Sequence, residues 1–208
     1  SDAPRVLHRD DYLVEIDFKF LHGKASGPAF DPKGETLPIS AFEPMVRAAK
    51  RAGVKRFVYA SSSSVYGANT KMPFSVAHNV DHPVSLYAAT KKAGELMCHT
   101  YHHLHGIAIN CLRFFTVYGP RQRPDMAFHR FCRAMLRGEP ITVYGDGRQS
   151  RDFTFIDDAV EANLRAWKRA APQGVYNVGG GSQVEVLEAI RILEDALETK
   201  AEVRFEAR

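Results

Sequence analysis

Arg56-Phe57-Val58-Tyr59-Ala60-Ser61-Ser62-Ser63-Ser64-Val65-Tyr66-Gly67 decides the fold. Its first five residues make an apolar, β-prone run, and the serines place a polar segment at the carboxyl end of that strand. Open α/β sheets put their ligand sites there. Downstream, Tyr87-Ala88-Ala89-Thr90-Lys91 sets a tyrosine four residues before a lysine. On a helix the two share a face, one turn apart. A free tyrosine hydroxyl, with a pKa of about 10, is a poor base near neutral pH. A neighbouring ammonium favours the phenolate, and a serine hydroxyl can share a proton with tyrosine and substrate alike. Such a group is a base able to take a proton from a hydroxyl near neutral pH. The spacing alone is common on helices; the strand and its serines give it weight.

Outward from this centre the chain alternates strand and helix patterns, which favours a parallel sheet. Phe42, Met45, Val46 and Ala49 follow helical spacing, with Pro44 near the first turn and Gly53 as the stop. A helix is expected from Ser85 to His105, closed by Gly106, then a strand over 107–114 running into the polar loop Phe115-Thr116-Val117-Tyr118-Gly119-Pro120. Further elements are a helix at 125–138, a short strand at Ile141-Thr142-Val143, and a helix opened by Asp157 and Asp158 and reaching Ala170. A strand at 175–178, a helix at 185–198 and a strand from Glu202 to Phe205 complete the pattern. Before all of these, residues 12–20 alternate as a half-buried strand and 22–38 read as a loop rich in glycine and proline.

The chain has 208 residues, 45% of them hydrophobic, enough for one α/β domain with a smaller lobe. A net charge of +4 is too small and too evenly spread to argue for nucleic acid, though it suits a phosphate-bearing ligand. No apolar run approaches a membrane span, and Ser1 onward does not read as a signal peptide. Cys98, Cys111 and Cys132 are far apart and read as reduced thiols of a cytoplasmic protein. His99, His102, His103 and His105 invite a metal reading, but they crowd a helix end where imidazolium meets the helix dipole. No carboxylate or cysteine completes a site, and no metal is expected.

Ser-Ser-Val-Tyr-Gly, Tyr-x-x-x-Lys, Tyr-Gly-Pro and Arg151-Asp152-Phe153-Thr154 appear in the order of the extended short-chain dehydrogenase/reductases, and the chain resembles that NAD-dependent epimerase/dehydratase family from about Ile39 onward. The resemblance implies an α/β, Rossmann-like parallel sheet with a small C-terminal substrate lobe. It divides the chain into a divergent segment at 1–38, a catalytic portion at 39–118 and a mixed portion at 119–208. The family opens with a strand, a glycine-rich turn and a helix that holds a dinucleotide pyrophosphate. No G-x-x-G-x-x-G occurs here, so the N-terminal part of the resemblance is incomplete. Gly179-Gly180-Gly181 lies after the catalytic segment and reads as a loop near the substrate lobe. Two explanations stand open: segments omitted from this chain, or a truncated relative in which NAD would bind weakly.

By resemblance, Tyr87 is the acid/base, Lys91 binds the nicotinamide ribose and tunes Tyr87, and Ser62 bridges to the reacting hydroxyl. Phe115 resembles the residue beside the nicotinamide, with a plain core phenylalanine as the rival reading. Ser63 and Ser64 contact the sugar or merely cap the turn. Residues 79–86 and 116–127 resemble UDP-glucuronate 4-epimerases, with Thr116 where many UDP-galactose 4-epimerases carry Asn. Thr116 and Arg123 together suit a sugar carboxylate, unless Arg123 is a solvated loop charge. Arg151 resembles the arginine that meets the nucleotide diphosphate, and Tyr144 stands in the uracil-side loop. The activity implied is NAD-dependent inversion at C4 of a UDP-sugar, most of all UDP-glucuronate, through a 4-keto sugar, in a homodimer. UDP-glucose 4-epimerase, UDP-glucuronate decarboxylase and sugar-nucleotide dehydratase are the neighbouring activities; a non-catalytic UDP-sugar-binding fragment is the alternative of another class.

Overall fold

The computed structural model describes residues 39–207. The strand at 12–20 and the loop at 22–38 expected from the sequence lie outside the described residues. The chain forms two compact units that interleave in sequence, residues 39–114 with 161–177, and residues 115–160 with 178–207. The sequence reading drew contiguous portions at 39–118 and 119–208. The chain instead crosses at Phe114/Phe115, returns inside a helix at Val160/Glu161, and leaves again at Asn177/Val178.

In the first unit, β1 (Arg56–Ser62) and β2 (Ala108–Phe114) pair in parallel, from Arg56 opposite Ala108 to Ser62 opposite Phe114. A later strand, Gln173–Val178, flanks β2 on its other side. Five consecutive β2 residues, Ile109 to Arg113, are buried, as expected of a strand covered on both faces. Helix α1 (Ile39–Arg51) turns Val46 and Ala49 inward, and its Pro44 stands in the second turn, where it removes one backbone donor. Helix α2 (Leu86–His105) starts at Ser85, whose hydroxyl accepts the Ala88 N–H at 3.1 Å, and ends at Gly106. Val46, Ala49, Val54, Phe57, Cys98, Ile107, Ile109 and Cys111 close one core between these helices and the sheet.

In the second unit, β3 (Thr116–Tyr118) runs parallel to β5 (Ser150–Phe155), and β7 (Gln183–Glu185) pairs with β5 antiparallel. Strand β3 falls in what the sequence reading took as a polar loop, and β5 and β7 fall where it named no strand. Helix α3 (Ala127–Arg137), strand β4 (Ile141–Tyr144), helix α5 (Val186–Leu197) and strand β8 (Val203–Glu206) form the remainder, with β4 and β8 parallel. Met135, Ile141, Val143 and Ile190 are buried at their centre. Helix α4 (Ile156–Arg169) precedes the strand at Gln173–Val178, which is β6. No helix among the described residues is long and apolar enough to cross a membrane.

Candidate active site

Strand β1 continues two residues beyond the expected stop, so Ser61 and Ser62 belong to it rather than to a loop. A 3-10 turn, Ser63–Tyr66, follows, and the Ser62 hydroxyl caps it by accepting from the Ser64 N–H at 3.2 Å and from the Ser64 hydroxyl at 3.0 Å. Ser64 therefore has the capping-turn partner that its rival reading required; Ser63 is half-buried beside it.

Helix α2 runs back along β1 and brings Tyr87 and Lys91 to the strand's carboxyl end. The Lys91 Nζ donates to the Ala60 carbonyl at 2.8 Å and lies 5.6 Å from the Tyr87 ring centre. The Tyr59 ring centre lies 5.5 Å from the same ammonium, which therefore faces two aromatic rings. Burial pushes Lys91 below the usual lysine range, and it pushes the Tyr59 hydroxyl up. Tyr87 itself is 39% exposed, open to a ligand. This close approach of α2 to β1 needs Gly94: a Cβ there would overlap the Tyr59 hydroxyl.

An ammonium carries three N–H donors. One goes to Ala60, and the remaining two suit a ribose diol beside Tyr87, so this end of the site fits the nicotinamide ribose of a dinucleotide. No glycine-rich turn of the pyrophosphate-binding kind stands among the described residues. Phe115 follows β2 directly, is half-buried, and its backbone N–H bonds the Val178 carbonyl at 3.1 Å.

The residues expected to read the substrate belong to the second unit. Thr116 opens β3 and is half-buried. Arg123 is exposed and already forked onto Asp125, with Nε and Nη2 donating at 3.1 and 2.8 Å. Tyr144 ends β4 with 49% of its surface exposed. Arg151 is exposed on β5, its Nη1 donating to the Ser150 carbonyl at 2.9 Å. The neighbouring Asp152 accepts the N–H groups of Gly180 and Gly181 at 2.6 and 3.1 Å. A Cβ at Gly180 would strike the Phe153 carbonyl, so the glycine run is fitted against β5.

Three of the α2 histidines have other partners. His102 Nδ1 lies 2.8 Å from the Ile107 carbonyl, His99 pairs with Gln173 at 3.0 Å, and His105 packs its ring on Tyr101. Cys98, Cys111 and Cys132 are free thiols.

The sequence reading passed over a buried polar cluster beside the tyrosine–lysine pair. Arg113 on β2 forks onto Glu95 of α2, with Nε to Oε1 at 2.9 Å and Nη2 to Oε2 at 2.8 Å. Ser61 also donates to Glu95 Oε1, at 2.6 Å. Burial alone would lower the Arg113 guanidinium, but the hydrogen bonds it donates to Glu95 and then to Tyr66 lift it above the ordinary arginine value. Two signals were available: a charge inside the apolar run of β2, and a carboxylate four residues after Lys91 on the same helix face.

A serine ending a parallel strand, with a tyrosine and a buried lysine one helical turn apart beside it, defines an α/β protein of the dehydrogenase/reductase type. The model of the NAD dependent epimerase/dehydratase family matches residues 39–179, and the chain belongs to that family. It is 50% identical over 164 residues to UDP-glucuronate 4-epimerase 1 of Arabidopsis thaliana, covering 71% of this chain and 38% of that protein. It is 45% identical over 172 residues to a probable UDP-glucuronate 4-epimerase of Rhizobium meliloti, covering 74% and 50%. Among solved structures, UDP-glucuronic acid 4-epimerase from Bacillus cereus in complex with UDP-glucuronic acid and NAD superposes with a TM-score of 0.77 at 39% identity, covering 87% of this chain and 57% of that one. The chain spans about half the length of the curated relatives it matches.

Proposed function

We propose that this chain carries the proton-transfer centre of an NAD-dependent UDP-sugar 4-epimerase acting on UDP-glucuronate. The observation that carries the reading is the Lys91 ammonium, buried at the end of β1 and facing the ring of the exposed Tyr87. When bound, NAD would accept a hydride from C4 of the sugar and return it to the opposite face. The chain's residues move the proton: the Tyr87 phenolate takes it from O4 and gives it back, steadied by the positive charge of Lys91. Ser62, capping its turn as an acceptor, directs its own hydroxyl proton toward the reacting oxygen. Arg151 and Tyr144 are assigned to the nucleotide, and Thr116 and Arg123 to the sugar carboxylate. Carboxylate recognition requires the Arg123 fork to leave Asp125. A 4-keto uronate is a β-keto acid, so holding its carboxylate also guards against loss of carbon dioxide.

Tyr87→Phe removes one hydroxyl and keeps the ring. Turnover of UDP-glucuronate is expected to fall by a factor of about a hundred or more, with its binding little changed. Near-normal turnover would remove Tyr87 from the mechanism. We assign self-association to the helices around 40–52 and 86–104, where Leu96 and Leu104 are exposed, giving a homodimer. A concentration-independent monomer in sedimentation would exclude it.

A further inference from the structure

We propose that Glu95, clamped between Ser61 and Arg113, is a positioning residue that sets the rotation of α2 and thereby places Tyr87 and Lys91 against Ser62. The inference rests on the proton-transfer reading above. With 3.6 residues per turn and 1.5 Å rise, Glu95 lies within about 40° of Lys91 and 80° of Tyr87 on the helix face, roughly 6 and 12 Å along the axis. Its carboxylate is therefore a handle on the same face as the reacting pair, one and two turns away.

Both oxygens of that handle are engaged. Oε1 accepts from Ser61 at 2.6 Å and from Arg113 Nε at 2.9 Å, while Oε2 accepts from Arg113 Nη2 at 2.8 Å. The forked geometry is directional, and the Glu95 and Arg113 side chains are only 5% and 3% exposed. Turning α2 would strand a charge in the interior, so the helix has one favoured azimuth.

The same arginine also fixes the other side of the site. Its Nη1 donates to the Tyr66 hydroxyl at 3.0 Å, and Tyr66 donates to Asn177 Oδ1 at 2.6 Å. The Tyr66 ring lies over the Arg113 guanidinium at 4.9 Å and stacks on Phe74 at 4.4 Å. Ser62 stands between Ser61 and Tyr66 in the chain. One charge pair thus holds residues on both sides of Ser62 and, through Glu95, the helix bearing Tyr87 and Lys91. Apolar packing would stabilise this interior at least as well; what the fork adds is directional hydrogen bonds that favour one rotation.

Removing Glu95 or Arg113 outright risks failure to fold, so the test uses Ser61→Ala, which deletes one hydroxyl and leaves the charge pair. The control is Glu43→Gln, which weakens a different tie on α2, where Tyr101 donates to Glu43 at 2.5 Å near the helix's far end. Both variants, with Tyr87→Phe beside them, are compared in the full chain for kcat, KM and melting temperature. Ser61→Ala is expected to lower kcat about tenfold or more, the scale of a sub-ångström misplacement, with KM for UDP-glucuronate within about twofold. Glu43→Gln is expected to lower the melting temperature at least as much while keeping kcat. A Ser61→Ala loss confined to KM, or a kcat loss no greater than that of Glu43→Gln, would overturn the positioning role. An inactive Tyr87→Phe with normal Ser61→Ala overturns this inference alone; an active Tyr87→Phe overturns the mechanism beneath it.

Discussion

Two arginine forks separate the two units of the molecule. Arg113–Glu95 and Arg123–Asp125 have the same bidentate form and nearly the same distances, each with one contact at 2.8 Å. Their settings are opposite: the first pair is 3% and 5% exposed, the second 58% and 66%. Geometry alone therefore says little about what a salt bridge does. In the interior, each partner's charge depends on the other, and the pair behaves as a fixture of the sheet and helix it joins. At the surface, water competes for both groups, and the same fork is an adaptable contact that a ligand can replace. The first unit holds its charge pair in a fixed, buried frame, while the second presents its pair to solvent.

The largest effect that would break this contrast lies in the interior. Glu95→Ala is expected to destabilise the fold by about 3–5 kcal/mol, because it leaves the Arg113 guanidinium buried without its partner. Denaturant unfolding measures this, and an unchanged midpoint with unchanged slope would reduce the buried pair to the level of the surface one. The middle effect concerns recognition. If Arg123 exchanges Asp125 for the sugar carboxylate, Arg123→Ala should weaken UDP-glucuronate about ten- to a hundredfold more than UDP-glucose, since a hydrogen bond to a charged group contributes about 1.5–3 kcal/mol. Calorimetry with both nucleotides decides it, and equal losses would place Arg123 on the diphosphate or on the fold. The smallest effect is expected for Asp125→Asn, which should change stability by less than about 1 kcal/mol. By releasing the Arg123 fork, it should leave UDP-glucuronate binding equal or tighter. A large loss of stability would show that exposure had been a poor guide to that pair.

Legibility in the sequence followed the range of the interaction. Helix α2 was readable to within a residue because its signals are local: a serine cap, a helical face and a closing glycine. The short strands β3, β5 and β7 were not, because three- to six-residue polar segments become strands only when a partner supplies the hydrogen bonds. Ser61 and Ser62 were taken for a loop for the same reason; pairing with Arg113 and Phe114 of β2 carries the strand through them. The return of the chain to its first unit through α4 and β6 rests on long-range pairing that leaves no local mark in the sequence.

By itself the sequence determined which chemistry is present: the tyrosine and lysine one turn apart, the strand-end serines, and the alternation that makes an α/β sheet. These follow from periodicity and side-chain type, which are fixed residue by residue. Only the tertiary structure decided how these groups are held. It set Lys91 near two tyrosine rings, pressed α2 onto Tyr59 at Gly94, and joined Ser61, Glu95, Arg113, Tyr66 and Asn177 into one largely buried chain of hydrogen bonds. Those partners are far apart in sequence, and burial, which gives their pairing its strength, exists only once the sheet and helix have closed over them.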